Sequence, residues 1–155
     1  MWLAMTDPRW LEPHEQDAWR AFLKASQHLW ERLDRELQQE AGMPLAYYQM
    51  LAMLSEAPER TLRMSELADR TWSSRSRLSH AVDRLEEKGW VQRVSCPSDK
   101  RGAFAVLTED GFAVLQAAAP SHVESVRRHL FDQLRPEQIA ALSEISQAIA
   151  DRLDD

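Results

Sequence analysis

Residues 99–108, Asp-Lys-Arg-Gly-Ala-Phe-Ala-Val-Leu-Thr, decide the fold of this chain. Two cations stand beside a carboxylate and a glycine, which is the chemistry of a tight turn. Ala103, Phe104, Ala105, Val106 and Leu107 then alternate as a strand and end at Thr108, a residue able to cap a helix. Upstream, residues 90–94 alternate in the same manner, so 90–94 and 103–107 are expected to pair as a hairpin whose tip spans 97–102. The segment before it, 74–89, reads as a helix. Leu78, Val82 and Leu85 form one face, Ser74 is placed to cap the start, and Gly89 supplies the stop. Leu62 and Met64 lead into a compact helix that ends near Thr71, with Leu67 and Ala68 inward. Two helices joined by a short turn make a helix-turn-helix, and the hairpin behind it makes a wing. One element of such a pair can enter the major groove of DNA while the other touches the minor groove or phosphates.

Outward from this centre the pattern is helical. A stripe of Trp19, Phe22, Leu23, Leu29, Trp30, Leu33 and Leu37 predicts a long helix over 14–42, stopped by Gly42 and Pro44. Tyr47, Met50, Leu51 and Leu54 predict a shorter helix over 47–56. Beyond Thr108 another helix begins with acidic residues at its positive end, and it is expected to kink or break near Pro120. Pro136 suits the first turn of a last helix carrying Ile139, Leu142, Ile145, Ile149 and Leu153. The expected fold is mainly α with a small β-wing, a winged helix-turn-helix plus a helical dimerisation lobe. Residues 1–155 form a single domain in this reading, with the winged lobe over about 46–108 and the dimerisation lobe over about 1–42 and 109–155.

With 155 residues, 28% charged and 44% hydrophobic, the chain suits a globular fold and carries no apolar run long enough to cross a membrane. Its start, Met-Trp-Leu-Ala-Met, has neither a basic region nor a long apolar core, so no secretory leader is expected. A single cysteine, Cys96, excludes an intramolecular disulfide and suits a reducing cytosol, hence a cytoplasmic location. With no resolving partner in the chain, Cys96 reads as inert. The net charge of −6 runs against nucleic-acid binding until its distribution is considered. Between Arg60 and Arg101 stand ten Lys/Arg against six Asp/Glu, and the remainder holds nine against nineteen. A basic middle between acidic ends is what a phosphate-facing lobe requires.

The residues expected to meet DNA are Ser74, Arg75, Ser76, Arg77, Ser79 and His80 in the first turns of the recognition helix, Arg84 on its flank, and Lys100 and Arg101 in the wing. Arginine can bond two guanine acceptors at once, and serine can donate or accept. Arg101 is expected to enter the minor groove, with Asp99 supporting its rotamer or simply initiating the turn. His14-Glu15 lacks the second histidine of a zinc-protease helix, and the five histidines show no ligand spacing, so neither a metal nor a cofactor is expected. Ser79, His80 and Asp83 share one helix with no nucleophile elbow or oxyanion hole, so no enzyme is expected either.

The run Leu67-Ala68, Ser74-Arg75-Ser76, Val82-Asp83-Arg84-Leu85-Glu86, Lys88-Gly89, Arg93, Asp99-Lys100-Arg101 and Leu107-Thr108 resembles the winged helix-turn-helix of the MarR family of bacterial transcriptional regulators. The resemblance extends over nearly the whole chain, including the junction between the last two helices at 130–138. It implies a recognition helix at 75–88, a wing tip at 97–102, a homodimer on palindromic double-stranded DNA, a repressor role, and release by a small phenolic or aromatic acid ligand. Trp72-Ser73 departs from the family's small-then-apolar pair at the helix–helix turn. Trp2, Leu3, Trp10 and Leu11, with the terminal helices, supply more apolar surface than a lone winged domain covers, which fits the implied dimer. A ligand pocket is expected where His28, Trp30, Tyr48, Met53 and Trp72 meet, with His28 on a ligand carboxylate. The competing reading is a winged-helix protein-interaction module that no longer binds DNA.

Overall fold

A computed structural model describes residues 8–153, except for the side chains of 99–101. Trp2 and Leu3 lie outside the described residues. The chain runs α1 (Pro13–Ala41), α2 (Leu45–Glu56), β1 (Thr61–Arg63), α3 (Met64–Arg70), α4 (Arg75–Glu87), β2 (Val91–Cys96), β3 (Asp99–Leu107), α5 (Glu109–His129) and α6 (Pro136–Leu153). It is mainly helical with one small sheet, a winged helix-turn-helix set among terminal helices.

Local chemistry sets most boundaries. The Glu12 N–H donates to the Glu15 carboxylate at 2.8 Å and opens α1, and Gly42 closes it in the left-handed region at φ 62°. Pro136 occupies the first position of α6, where its missing N–H costs nothing. Thr108 caps α5 by accepting from the Gly111 N–H at 3.0 Å while its own hydroxyl donates to the Gly89 carbonyl at 2.6 Å. That hydroxyl therefore ties the base of the wing to the start of a helix. Gly111 is packed so closely that a Cβ there would stand 2.1 Å from the Trp90 carbonyl oxygen, a contact only glycine permits.

Three expectations need correction. The sheet has a third strand, β1, lying antiparallel to β3 with Leu62 opposite Ala105, in the order β1-β3-β2. Strand pairing also runs into the expected turn. Cys96 lies opposite Asp99, so the chain reverses at Pro97-Ser98, and an irregular register between Ser95 and Cys96 carries 100–102 on the longer strand. Finally, α5 passes Pro120 as one helix and ends only at Leu130. Pro120 and Gln116, the residue whose carbonyl loses its helical partner, are both exposed, so water can take up the freed bond.

The main core gathers Leu51, Leu54, Leu67, Leu78, Val82, Leu85 and Ala105 from α2, α3, α4 and β3. A smaller cluster of Leu33, Leu37, Leu45 and Ala118 joins α1 to α2 and α5. By contrast, α6 has no buried residue, and Trp10, Trp19, Phe22, Trp30, Val123, Ile145, Ile149 and Leu153 stand exposed. No helix among the described residues is long and apolar enough to cross a membrane.

Candidate nucleic-acid interface

The first turn of α4 is fixed by Ser74, whose hydroxyl accepts from the Arg77 N–H at 3.2 Å. Leu78, Val82 and Leu85 then anchor the inner face of the helix at 1% exposure or less. With that face pinned, Arg75, Ser76, Arg77, His80 and Arg84 stand exposed on the other side. Arg84 is paired with Glu87 at 3.0 Å, which raises its pKa further and keeps its charge partly satisfied. It flanks a shallow groove that Tyr47, Arg77 and His80 also line.

Ser79 is different. It is half-buried and turned toward the wing, where its carbonyl and hydroxyl accept from Arg93 Nη2 at 2.9 and 3.1 Å. Arg93 on β2 also donates through Nη1 to Asp83, and its backbone N–H donates to Glu86 at 2.7 Å. One guanidinium thus bolts three consecutive turns of α4 to the wing strand while neutralising the two carboxylates nearest the basic face. The sequence motif contains Arg93, but its role as a hub was not foreseen. The available signal was Asp83 and Glu86, three apart on one helical face and therefore in need of a common cation.

A second arginine was missed. Arg63, at the start of α3, lies over the Phe104 ring of β3 at 5.4 Å and donates to Cys96 Sγ at 3.7 Å. Arg63, Arg75 and Arg93 line one depression of about 520 Å³ between α3, α4 and the wing, where Gly102 and Ala103 form the opposite wall. With Arg93 paired to Asp83 and Glu86, Arg63 and Arg75 are the cations that make this cleft attractive to an anion. Asp99, Lys100 and Arg101 lie on the backbone of β3, and their side chains are outside the described residues. Among the described residues no group of three or more His, Cys, Asp or Glu could hold a metal ion.

The five residues expected to form a ligand pocket are dispersed. His28 and Trp30 are exposed on α1, Met53 packs against the main core, and Tyr48 meets His122 of α5 at 4.3 Å between ring centres, the rings tilted by 47°. Trp72 sits at the helix–helix turn, 80% exposed, with φ of 48°. Periodicity puts aromatic residues on helices but does not say which face meets which. His28 does line a cavity of about 540 Å³ with Arg32, Arg35 and His129, and none of the other four borders it.

Beside that cavity, α1 and α5 are joined by a polar cluster. The Glu36 carboxylate accepts from the buried Ser125 hydroxyl and lies 2.9 Å from His129 Nε2 and 2.6 Å from Arg32 Nε. The Ser125 hydrogen bond, with support from Arg32 and His129, holds its pKa down at about 2 against the opposition of burial. Burial also lowers the pKa of His122, which favours the neutral imidazole, and its Nδ1 has no hydrogen-bond partner among the described residues.

Known proteins share this fold and much of this sequence. The sequence profile of the MarR family matches residues 41–102, from the end of α1 to the wing. The crystal structure of Sco3205, a MarR family transcriptional regulator from Streptomyces coelicolor in complex with DNA, is 53% identical and superposes with a TM-score of 0.91, covering 94% of this chain and 92% of that one. AbsC, a MarR family transcriptional regulator from the same organism, is 43% identical with a TM-score of 0.88, covering 95% and 99%. The transcriptional regulator PecS of Dickeya dadantii is 33% identical over 41% of this chain and 38% of its own length. The multiple antibiotic resistance protein MarR of Salmonella typhimurium is 32% identical over 46% and 50%. The chain thus matches half or less of the length of these two curated relatives, and nearly all of the two solved structures. With this agreement in sequence and in fold, the chain belongs to the MarR family of transcriptional regulators.

Proposed function

We propose that this protein is a sequence-specific DNA-binding repressor that acts in the cytoplasm as a homodimer on a pseudo-palindromic operator. The observation that carries this reading is the outer face of α4. Arg75, Ser76, Arg77 and His80 are exposed together, on a helix that Arg93 clamps beside a wing. Arg75 and Arg77 read base edges, Ser74, Ser76 and Arg84 hold phosphates, and Lys100 and Arg101 of the wing reach the adjoining groove. Ser79 contributes by fixing the wing rather than by facing outward. The exposed apolar faces of α1 and α6 support the dimer, which would set two recognition helices about 34 Å apart.

An aromatic acid effector finds support in the cavity that His28, Glu31, Arg32, Arg35 and His129 line, where Arg35 suits a carboxylate while Arg32 pairs with Glu36. Such a ligand releases DNA only if it binds the DNA-incompetent spacing more tightly than the competent one.

The test is gel-shift titration on fragments selected from genomic DNA. Arg75→Ala and Arg77→Ala should each relax base preference by about 1–3 kcal/mol. Unchanged affinity and unchanged preference in both variants would overturn the assignment.

A further inference from the structure

Trp72 stands out at the interface just described. Among the described residues only three that are not glycine have positive φ, namely Glu59, Arg60 and Trp72, and Trp72 is the sole aromatic among them. The left-handed region disfavours any residue with a Cβ, and a bulky one most of all. Its N–H donates to the Asp69 carbonyl at 3.2 Å, which fixes the turn, yet the side chain gains nothing within the fold. The ring is 80% exposed, and among the described residues nothing stacks on it or accepts from its indole nitrogen. A glycine there would relieve the backbone and hide no apolar ring from water.

Its position supplies a reason. Trp72 lies two residues before the Ser74 cap, at the end of α4 that leads into the groove, and Arg70, Arg75 and Arg77 stand exposed around it in the sequence. Indole carries one N–H donor, no acceptor and no negative charge. Its flat face suits a deoxyribose, and its N–H suits a phosphate oxygen. We propose that Trp72 is a DNA-backbone contact residue, the ring lying on a sugar and Nε1–H donating to a phosphate at the margin of each half-site. This rests on the DNA-binding reading above. The contact neutralises no phosphate charge, so it adds affinity without adding to salt dependence. In that respect it differs from the phosphate contact proposed for Arg84 on the same face.

The experiment uses the full chain and a labelled mixed-sequence duplex of about 30 base pairs, titrated at several salt concentrations, with thermal unfolding in parallel. W72G, and W72N as a second variant whose side chain tolerates the left-handed region, should bind about 5–20-fold more weakly. Their salt slope should equal that of the wild type and their Tm should be equal or higher. W72F keeps the ring but loses the donor, so it should lose about 2–5-fold. Wild-type affinity in W72G and W72N would overturn the proposal and leave a protein partner as the occupant of the ring. A lower Tm that accounts for the affinity loss would show a structural role instead, and that too overturns it. A wild type that fails to bind any duplex would sink the DNA reading itself, and Trp72 with it, in a way that no variant result resembles.

Discussion

Leu51, Leu54, Leu67, Val82 and Leu85 in the winged half are sealed at 0% exposure, whereas Ile145 and Leu153 on α6 stand at 58% and 79%. The residue types are interchangeable and the helical spacing is equally regular in both places. The difference lies in what surrounds them. In the winged half, helices and a three-stranded sheet converge from several directions, while α6 follows Leu134 and meets no opposing layer among the described residues. A stripe of leucine and isoleucine therefore says that something will cover it, and only topology says whether that cover is the same chain or another.

The sharpest way to break this contrast is to charge the uncovered stripe. Ile145→Glu combined with Ile149→Glu should convert a dimer to a monomer in analytical ultracentrifugation and weaken operator binding by about 10²–10⁴-fold, because two half-sites would no longer be engaged as one event. A double variant that still sediments as a dimer would remove α6 from the seam. Next in size, Leu85→Ala should lose about 2–5 kcal/mol of stability in urea unfolding, since the cavity sits where nothing can collapse. Ile149→Ala, measured at concentrations where the protein is monomeric, should stay within about 0.5 kcal/mol of wild type. Equal losses in the two variants would mean that α6 is packed intramolecularly after all.

A smaller effect probes the polar joint between α1 and α5 and the buried histidine beside it. Glu36 has a folded pKa of about 2 against its usual 4.5, so its contribution is present above pH 4.5 and is lost as pH falls toward 2. His122, whose pKa burial lowers from 6.5, begins to cost stability at higher pH, as its protonation becomes favourable only in the unfolded chain. Urea midpoints should therefore decline from about pH 6.5 downward, and Glu36→Gln should flatten the part of that decline below pH 4.5 while leaving the upper part in place. A Glu36→Gln profile parallel to wild type down to pH 2 would show that the cluster between α1 and α5 carries no acid-sensitive stability.

What the sequence made legible was local chemistry. The Ser74 and Thr108 caps, the Gly42 and Gly89 stops, Pro136 at a helix start and the Leu78-Val82-Leu85 stripe each act within one turn, and each was found where expected. What stayed hidden depends on distance along the chain. β1 is three residues long, too short for alternation to register, and exists only because β3 offers it an edge. Arg93 and Arg63 draw their roles from partners many residues away. Pro120 misled for the complementary reason: a local rule forbids it inside a helix, and solvent exposure supplies the exception. In the candidate site, the exposed members of α4 and the place of Trp72 at the helix–helix turn followed from the local pattern, but Ser79 was assigned outward when its hydroxyl is engaged inward.

α5 is pinned at both ends by features already met, Thr108 and Gly111 against the wing base and Ser125 against Glu36 of α1. At 21 residues it is about 30 Å of one continuous helix, which runs through Pro120. Any tilt imposed near α1 is magnified at the far end, where about 5° displaces the wing root by roughly 2.5 Å. In the proposed dimer the shaft that carries the recognition helix would thus also be its lever, and a modest push between subunits would be felt as a misfit against the helical pitch of the DNA.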